Sequence, residues 1–321
     1  MRHVAGAAGP PPQAYDADVV ILALGRTDET IAAIHSALAQ QQVTRHVFVV
    51  DQGSRPEDLA RLAAAVGSRE DATLVSLDAN YGVAGGRNRG IALGHGQVIA
   101  AIDNDAEFAE SCSLARLVAT LKDRGVAAVA CRIVLYDTGE DDMSSWGYPI
   151  GLLPYAAECF DVATFVGAGH AIRRASWDAC GGYDEALFFC WEELDFCLRA
   201  IARGWRIRYC GDIAVRHKVS AEGRVRWSGE RWRYFVRNRL YIERKWGASW
   251  FVLAPRCAGY LIRGARNGLL RQTLRALPAA MRLSATLPMK RLPENALAYL
   301  RENDGAYRGA RWREALRLLP G

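Results

Sequence analysis

Ala100-Ala101-Ile102-Asp103-Asn104-Asp105 closes an apolar run, Val98 to Ile102, with two carboxylates one residue apart. An uninterrupted apolar segment of this length has the size of a strand buried on both faces of a parallel sheet. In open α/β sheets ligands bind at the carboxyl ends of the strands. Asp103 and Asp105 at such an end can reach one oxygen-seeking divalent cation beside a nucleoside diphosphate. A strand followed by an ordinary polar turn uses the same residue types, so the flanking chain has to decide between the two.

Outward from that stretch the chain alternates in steps of about 25–30 residues, the spacing of right-handed crossovers between parallel strands. Asp18 to Leu24, His46 to Val50 and Ala72 to Leu77 read as strands. Glu29 to Gln41 and Glu57 to Val66 carry apolar residues at helical spacing between them. Asp51 ends the second strand, where its carboxylate would either accept the N3–H of a uracil or thymine ring or close the turn Gln52-Gly53-Ser54. Asn80-Tyr81-Gly82-Val83-Ala84-Gly85-Gly86-Arg87-Asn88-Arg89-Gly90 follows the third strand. Its glycines permit close backbone approach, and its arginines can meet a diphosphate. They serve helix packing equally well. A nicotinamide or flavin fingerprint would follow the first strand with other glycine spacing, so that function is excluded.

Ser113 to Lys122 reads as a helix and Val126 to Cys131 as a strand, before a long loop, Tyr136 to Glu158, expected to shape an acceptor pocket. A second informative block, Phe165 to His217, contains Gly169-His170, then Trp191-Glu192-Glu193-Leu194-Asp195 at a helix start. Acids there are favoured by the helix dipole, or one of them serves as general base. His217 ends a later strand, where it is a structural histidine or, folded back beside Asp105, part of a metal site.

Charge is divided unevenly. Residues 222–321 hold 21 Lys and Arg against 7 Asp and Glu, while residues 1–221 hold 20 against 28. An acidic body with a basic, Trp-rich tail points the tail at an anionic partner, either a phospholipid surface or a nucleic acid. Residues 246–262 are too short and too interrupted for a transmembrane span. The eight cysteines contain no C-x-x-C pair, which counts against a zinc site of the usual spacing. With no secretory signal at the start, a reducing cytosol is expected. Residues 1–15, with Gly9-Pro10-Pro11-Pro12, are expected to form a flexible lead-in. The nucleotide-binding half is expected over 16–110, the acceptor half over 111–222 and a basic helical region over 223–321.

Taken together, VVDQGS, NYGVAGGRNRG, AIDNDAEF and the block GAGHAIRRASWDACGGYDEALFFCWEELDFCLRAIARGWRIRYCGDIAVRH resemble a family 2 glycosyltransferase across residues 18–245. The resemblance implies a GT-A fold, a mostly parallel Rossmann-like sheet flanked by helices. It implies an inverting transfer of a sugar from UDP or dTDP to a carbohydrate or lipid-linked acceptor, in cell-surface polysaccharide or glycolipid synthesis. Mg²⁺ or Mn²⁺ would be held by Asp103, Asp105 and His217. Asp51, Asn80, Gly85, Arg87, Asn88 and Asp103 would contact the donor, and Gly169, His170 and Trp191 the acceptor. Glu193 stands where the family has the Asp of a Glu-Asp pair, its catalytic base. The added methylene moves the carboxylate by about one bond length, so Glu192 and Asp195 stay as alternates. The Trp-acid-acid pattern and Arg237-Asn238-Arg239-Leu240-Tyr241 are most similar to the rhamnosyl- and galactofuranosyltransferase branch. The expected location is the cytoplasm, at the inner face of the membrane through residues 223–321, with no nucleic-acid partner. Two other classes compete. A sugar-phosphate nucleotidyltransferase would need an early G-x-G loop with a basic signature, which is missing. A basic-tailed nucleic-acid-binding protein would not need the carboxylates at all.

Overall fold

The computed structural model describes residues 1–218, 229–288 and 290–308. Trp227, Arg224, Arg226 and the last arginines of the basic tail lie outside them. The elements in chain order are β1 (Arg2–Gly6), β2 (Ala17–Ala23), α1 (Thr27–Leu38), β3 (Arg45–Asp51), α2 (Pro56–Val66), β4 (Ala72–Ser76) and α3 (Gly82–Ile91). β5 (Val98–Ile102), β6 (Ala106–Phe108), α4 (Ser113–Thr120), β7 (Val126–Leu135), β8 (Cys159–Val162), β9 (Gly169–Arg173) and α5 (Arg174–Cys180) follow. The chain then runs through α6 (Glu192–Ile201), β10 (Arg206–His217), α7 (Gly229–Lys245), α8 (Trp250–Arg266), α9 (Leu270–Ser284) and α10 (Glu294–Asn303).

All ten strands form one sheet in the order β1-β4-β3-β2-β5-β9-β7-β10-β6, with β8 also on β10. β4, β3, β2 and β5 run parallel, β9 runs against β5 and β7, and β7 and β10 are parallel again. The central strands read as apolar runs because both faces are covered. α1, α2 and α4 bury Ile34, Leu62 and Leu117 on one face. α3, α5 and α6 bury Ile91, Trp177 and Phe196 on the other.

The expected flexible lead-in is corrected: Arg2–Gly6 is a strand, antiparallel to β4. Without it, β4 would expose a row of unpaired backbone groups at the sheet edge. Gly6 is required there, since a Cβ would lie 2.2 Å from the Ala72 carbonyl oxygen. The strand that His217 ends is β10, bulged between Cys210 and Ala214.

The basic region is helical over its described residues. α7, α8 and α9 share a core of Trp232, Val236, Leu240, Leu253, Tyr260, Ala276 and Ala280. It also fastens to the body: α7 buries Tyr241 and Ile242 against Leu187 and Leu198, and α10 places Ala296 in the core behind α6. Among the described residues no helix is long and apolar enough to cross a membrane.

Candidate active site

The carboxyl ends of β3, β5 and β10 open on the same edge of the sheet, as does the start of the oppositely running β9. Asp103 and Asp105 follow β5 there. Asp105 is buried, with one carboxylate oxygen 3.4 Å from His217 Nε2 and the other paired with Arg26. His217 Nδ1 lies 2.8 Å from Asp142 Oδ2. Burial pushes the Asp142 carboxyl up, but the bonds from His217, Ser144 and Ser145 outweigh it and hold the group well below the usual range. An anionic Asp142 fixes the ring of His217 and leaves Nε2 directed at Asp105.

Asp103 is the more open acid, 35% exposed. It accepts a hydrogen bond from Arg87 Nη2 at 2.9 Å. Arg87 is fully buried, comes from α3, and also donates to the Gly167 carbonyl at 2.8 Å. Its other terminal nitrogen lies 3.6 Å from Glu193 Oε1. One guanidinium therefore joins the β5 acids to the start of α6.

Glu192 and Glu193 open α6. Burial pushes both carboxyls above the usual glutamate range; Arg87 pulls Glu193 back in part, while the charge of Glu193 raises Glu192 further. Glu192 Oε2 is buried with no hydrogen-bond partner among the described residues. Both carboxyls are thus raised by burial, and of the two only Glu193 has the guanidinium beside it. Gly167 makes this possible, since a Cβ there would lie 2.5 Å from Glu193 Oε1.

The loop entering α6 is strained. Phe188, Cys190 and Trp191 all have φ between 61° and 74°, on the order of 1–3 kcal/mol each for residues with a side chain. Asn238 of α7, completely buried, holds it by donating Nδ2 to the carbonyls of Leu187, Phe189 and Cys190 at 2.8, 2.8 and 2.9 Å. Arg237 adds bonds to Ala186 and Leu187, and Tyr241 and Lys245 both bond to Asp184.

The sequence profile described as glycosyl transferase family 2 matches residues 18–181, half of the chain. The chain belongs to glycosyl transferase family 2. A succinoglycan biosynthesis protein, ExoO of Rhizobium meliloti, is 41% identical over 90 residues, 28% of this chain and 25% of that protein. A beta-monoglucosyldiacylglycerol synthase of Trichormus variabilis is 25% identical over 228 residues, 64% of this chain and 48% of that protein. The matches thus span a quarter to about half of these relatives' length. A mannosyltransferase from Pyrobaculum calidifontis, solved in complex with GDP-Man and Mn²⁺, superimposes with a TM-score of 0.57 at 18% identity, covering 98% of this chain and 87% of that one. The shared architecture is the GT-A glycosyltransferase fold.

Several residues read from this glycosyltransferase's sequence as ligand contacts have protein partners in the structure. Asn80 Oδ1 caps the Gly82 amide at 2.8 Å, and Asn88 bonds Tyr183 from both ends of its amide. Gly85 gives room to Tyr81, as Gly82 does to the Phe188 carbonyl, 2.1 Å from where its Cβ would sit. These glycines fit α3 to the sheet and to the strained loop. Of this stretch Arg87 joins the acids described above. Gly169 faces Val215, and a Cβ would meet that side chain at 2.7 Å. His170 is buried, stacked on Phe165 at 4.3 Å and hydrogen-bonded to Tyr183 Oη; burial, with Arg87 nearby, lowers its pKa well below the usual value, so it is a neutral structural residue. Trp191 donates its indole N–H to the Phe235 carbonyl at 3.0 Å and lies under Arg239, which is packing against α7. Asp195, an alternate base, is completely buried between Arg199 and Lys245, each at 2.9 Å. Asp51 is buried and accepts bonds from Ser54 N, Gly53 N and Ser76 Oγ. The turn reading describes these contacts. A base contact would use the acceptor capacity that a carboxylate keeps after three donors.

Sequence reading missed Arg26, Asp142, Gly167 and Asn238 as parts of this edge. Arg26 follows Gly25 in a left-handed turn, and a Gly-Arg turn before an acidic helix start is the one local signal it leaves. Asp142 sits in the long loop with nothing nearby in sequence to link it to a histidine 75 residues away.

Proposed function

We propose that this glycosyltransferase moves a sugar from UDP or dTDP to a hydroxyl of a carbohydrate or lipid-linked acceptor, with inversion at the anomeric carbon, in the synthesis of cell-surface polysaccharide or glycolipid. The observation that carries the reading is Arg87, a single buried cation in contact with both Asp103 and Glu193. It sets a donor-side acid and an acid suited to proton abstraction on either side of one point.

Asp105 and His217, with Asp103 beside them, would hold Mg²⁺ or Mn²⁺. The donor set fits: oxygen and imidazole suit Mn²⁺, the two groups are 3.4 Å apart, and the histidine has its carboxylate support in Asp142. When bound, the cation neutralises charge on the leaving diphosphate as a Lewis acid. The cation on the solved mannosyltransferase supports this choice. Arg87 contributes a second fixed positive charge, already desolvated, so it needs no reorganisation as charge develops. Glu193 takes the proton of the attacking hydroxyl, its raised pKa making it a better base than an exposed glutamate. Of the two glutamates, Glu193 is the one with a cation, Arg87, beside it to support its charge. Inversion follows from a single displacement in which the hydroxyl enters opposite the leaving group, with no covalent sugar on the protein.

The α8–α9 surface supports a lipid-linked acceptor at an anionic membrane face. Phe251 is 90% exposed, and Val252, Ile262, Leu274 and Met281 are also exposed, among Arg256, Arg266, Arg271, Arg275 and Arg282. Apolar residues ringed by arginines are the composition of an interfacial helix.

The test is a donor screen that reads released UDP, dTDP and GDP, with EDTA, Mg²⁺ or Mn²⁺, and with or without vesicles containing anionic lipid. One nucleoside diphosphate is expected, lost with EDTA and restored by either metal, with higher turnover on vesicles. Pyrophosphate released from a nucleoside triphosphate would assign the site to nucleotidyl transfer instead. Turnover indifferent to vesicles, with no co-sedimentation, would remove the membrane face.

A further inference from the structure

Away from the catalytic edge, β8 and the first half of β10 bring three metal-ligating side chains together. Cys159 and Cys210 are directly opposed across the antiparallel pair. Asp212 is in the bulge that follows. One ligand atom from each of the three lies within 4.8 Å of the other two. Cys159 Sγ already donates to Asp212 Oδ1 at 3.2 Å, and Arg116 of α4 pairs with Asp212 Oδ2.

We infer that Cys159, Cys210 and Asp212 form a binding site for a thiophilic divalent cation of the Zn²⁺ type, with a water as fourth ligand. Two sulfurs at about 2.3 Å from a tetrahedral zinc stand about 3.8 Å apart, so the side chains need close by no more than about 1 Å from the upper limit seen here. Arg116 supplies the outer hydrogen bond that orients a ligating carboxylate. It also balances charge: two thiolates and one carboxylate are offset by a divalent cation and one guanidinium. Cys159 is exposed and gives an entry path, while Cys210 is buried and gives the site a fixed wall. Cys131, in register with Cys210 on β7, is buried beside it.

The placement gives such an ion a structural consequence. β8 is four residues long and pairs only with β10 among the described strands. It ends the long loop whose early part carries Asp142, the support of His217. An ion between Cys159 and Cys210 would fasten the exit of that loop to the strand that bears His217, about seven residues and roughly 20 Å from the imidazole along β10. The site is separate from the proposed reaction and does not depend on it.

The experiment uses the full chain, reduced and then freed of reductant. Zn²⁺ uptake is measured by competition with a chromogenic chelator, and Co²⁺ is added separately to read sulfur-to-cobalt charge transfer. One equivalent of Zn²⁺ beyond any held by Asp105 and His217, and a charge-transfer band, are expected, together with a rise in Tm on adding Zn²⁺. Cys159→Ser and Cys210→Ser should each abolish the band and the Tm rise, and Asp212→Asn should weaken uptake about tenfold. Cys257→Ser, in α8, should change nothing. Because Cys159 is exposed, its serine variant keeps the fold even where that at 210 does not, and circular dichroism checks this. Equal uptake by wild type and Cys159→Ser overturns the site. So does a wild type that takes up no Zn²⁺ when reduced and instead forms a Cys159–Cys210 disulfide with hydrogen peroxide.

Discussion

Two pairs of acids flank Arg87, and they are built in opposite ways. Asp103 and Asp105 each face an arginine, Arg87 for one and Arg26 for the other, and Asp105 also faces His217. Glu192 and Glu193 have the longer contact from Arg87 to Glu193 and a hydrogen bond to each other, the first buried and the second partly buried at a helix start. The first pair faces protein cations, in the positions where the proposed function puts a metal ion. The second pair has its charge disfavoured, which is what raises a carboxylate's basicity. One sheet edge thus carries one pair of acids facing cations and one pair with its charge disfavoured. The difference comes from partners and burial, since all four groups are carboxylates.

The contrast is broken most sharply by removing one acid from each pair. Glu193→Gln should lower kcat by about 10²–10⁴, the usual contribution of a general base, and leave nucleotide affinity unchanged. Asp105→Ala should lose transfer and also the Mn²⁺-dependent part of nucleotide binding. Turnover and isothermal titration with the nucleoside diphosphate separate the two. Near-normal turnover in Glu193→Gln would falsify the assignment of the base. The same contrast appears in pH: because the pKa of Glu193 is raised above 4.5, kcat should fall as pH drops through a value above the ordinary glutamate range. An acid limb at or below 4.5 would assign proton abstraction to a solvated group instead.

The first pair was legible in the sequence and the second only partly, for a physical reason. Strands buried on both faces are written as apolar runs, so Val98 to Ile102 and the acids that end it mark the sheet edge directly. The parallel sheet and the helical basic region followed from the same patterns. The strained loop leaves no such mark: Phe188, Cys190 and Trp191 take left-handed backbone without glycine, because Asn238, about 50 residues later, compels them. Glycines in Asn80–Gly90 were ambiguous, since close approach to a ligand and close approach to Val20 and Val50, as at Gly90, demand the same residue. β1 was hidden because its reason for existing is the open edge of β4, which appears only once the sheet is assembled.

A smaller effect sharpens what the second pair depends on. Asn238→Ala leaves the Phe189 and Cys190 carbonyls without that donor, while Leu187 keeps Arg237; each unmade bond costs about 1–3 kcal/mol if water does not replace it. Stability should fall by a few kcal/mol at most. Turnover should fall with the geometry of Glu193, while Mn²⁺-dependent nucleotide binding at the first pair persists. Denaturant unfolding and nucleotide titration of the same variant check both. Loss of nucleotide binding equal to the loss of turnover would mean that α7 supports the whole edge and not only the start of α6.

The smallest expected effect concerns Glu192 and is read as stability against pH. Its pKa is raised well above 4.5 by burial and by Glu193, so folding favours its protonated form. The stabilisation tied to that proton is fully present below the unfolded value near 4.5 and is lost as pH rises toward the folded value. At pH 8 the wild type therefore carries a penalty that a neutral amide of the same shape does not. Glu192→Gln should be more stable than wild type at pH 8, by about 1–3 kcal/mol after allowing for relaxation around a buried acid. The gain should shrink steadily toward pH 4.5. Urea unfolding at pH 5 and pH 8 measures the difference. A gain that does not change with pH would mean that Glu192 is ionised in the folded protein, and the two pairs would then be more alike than their surroundings imply.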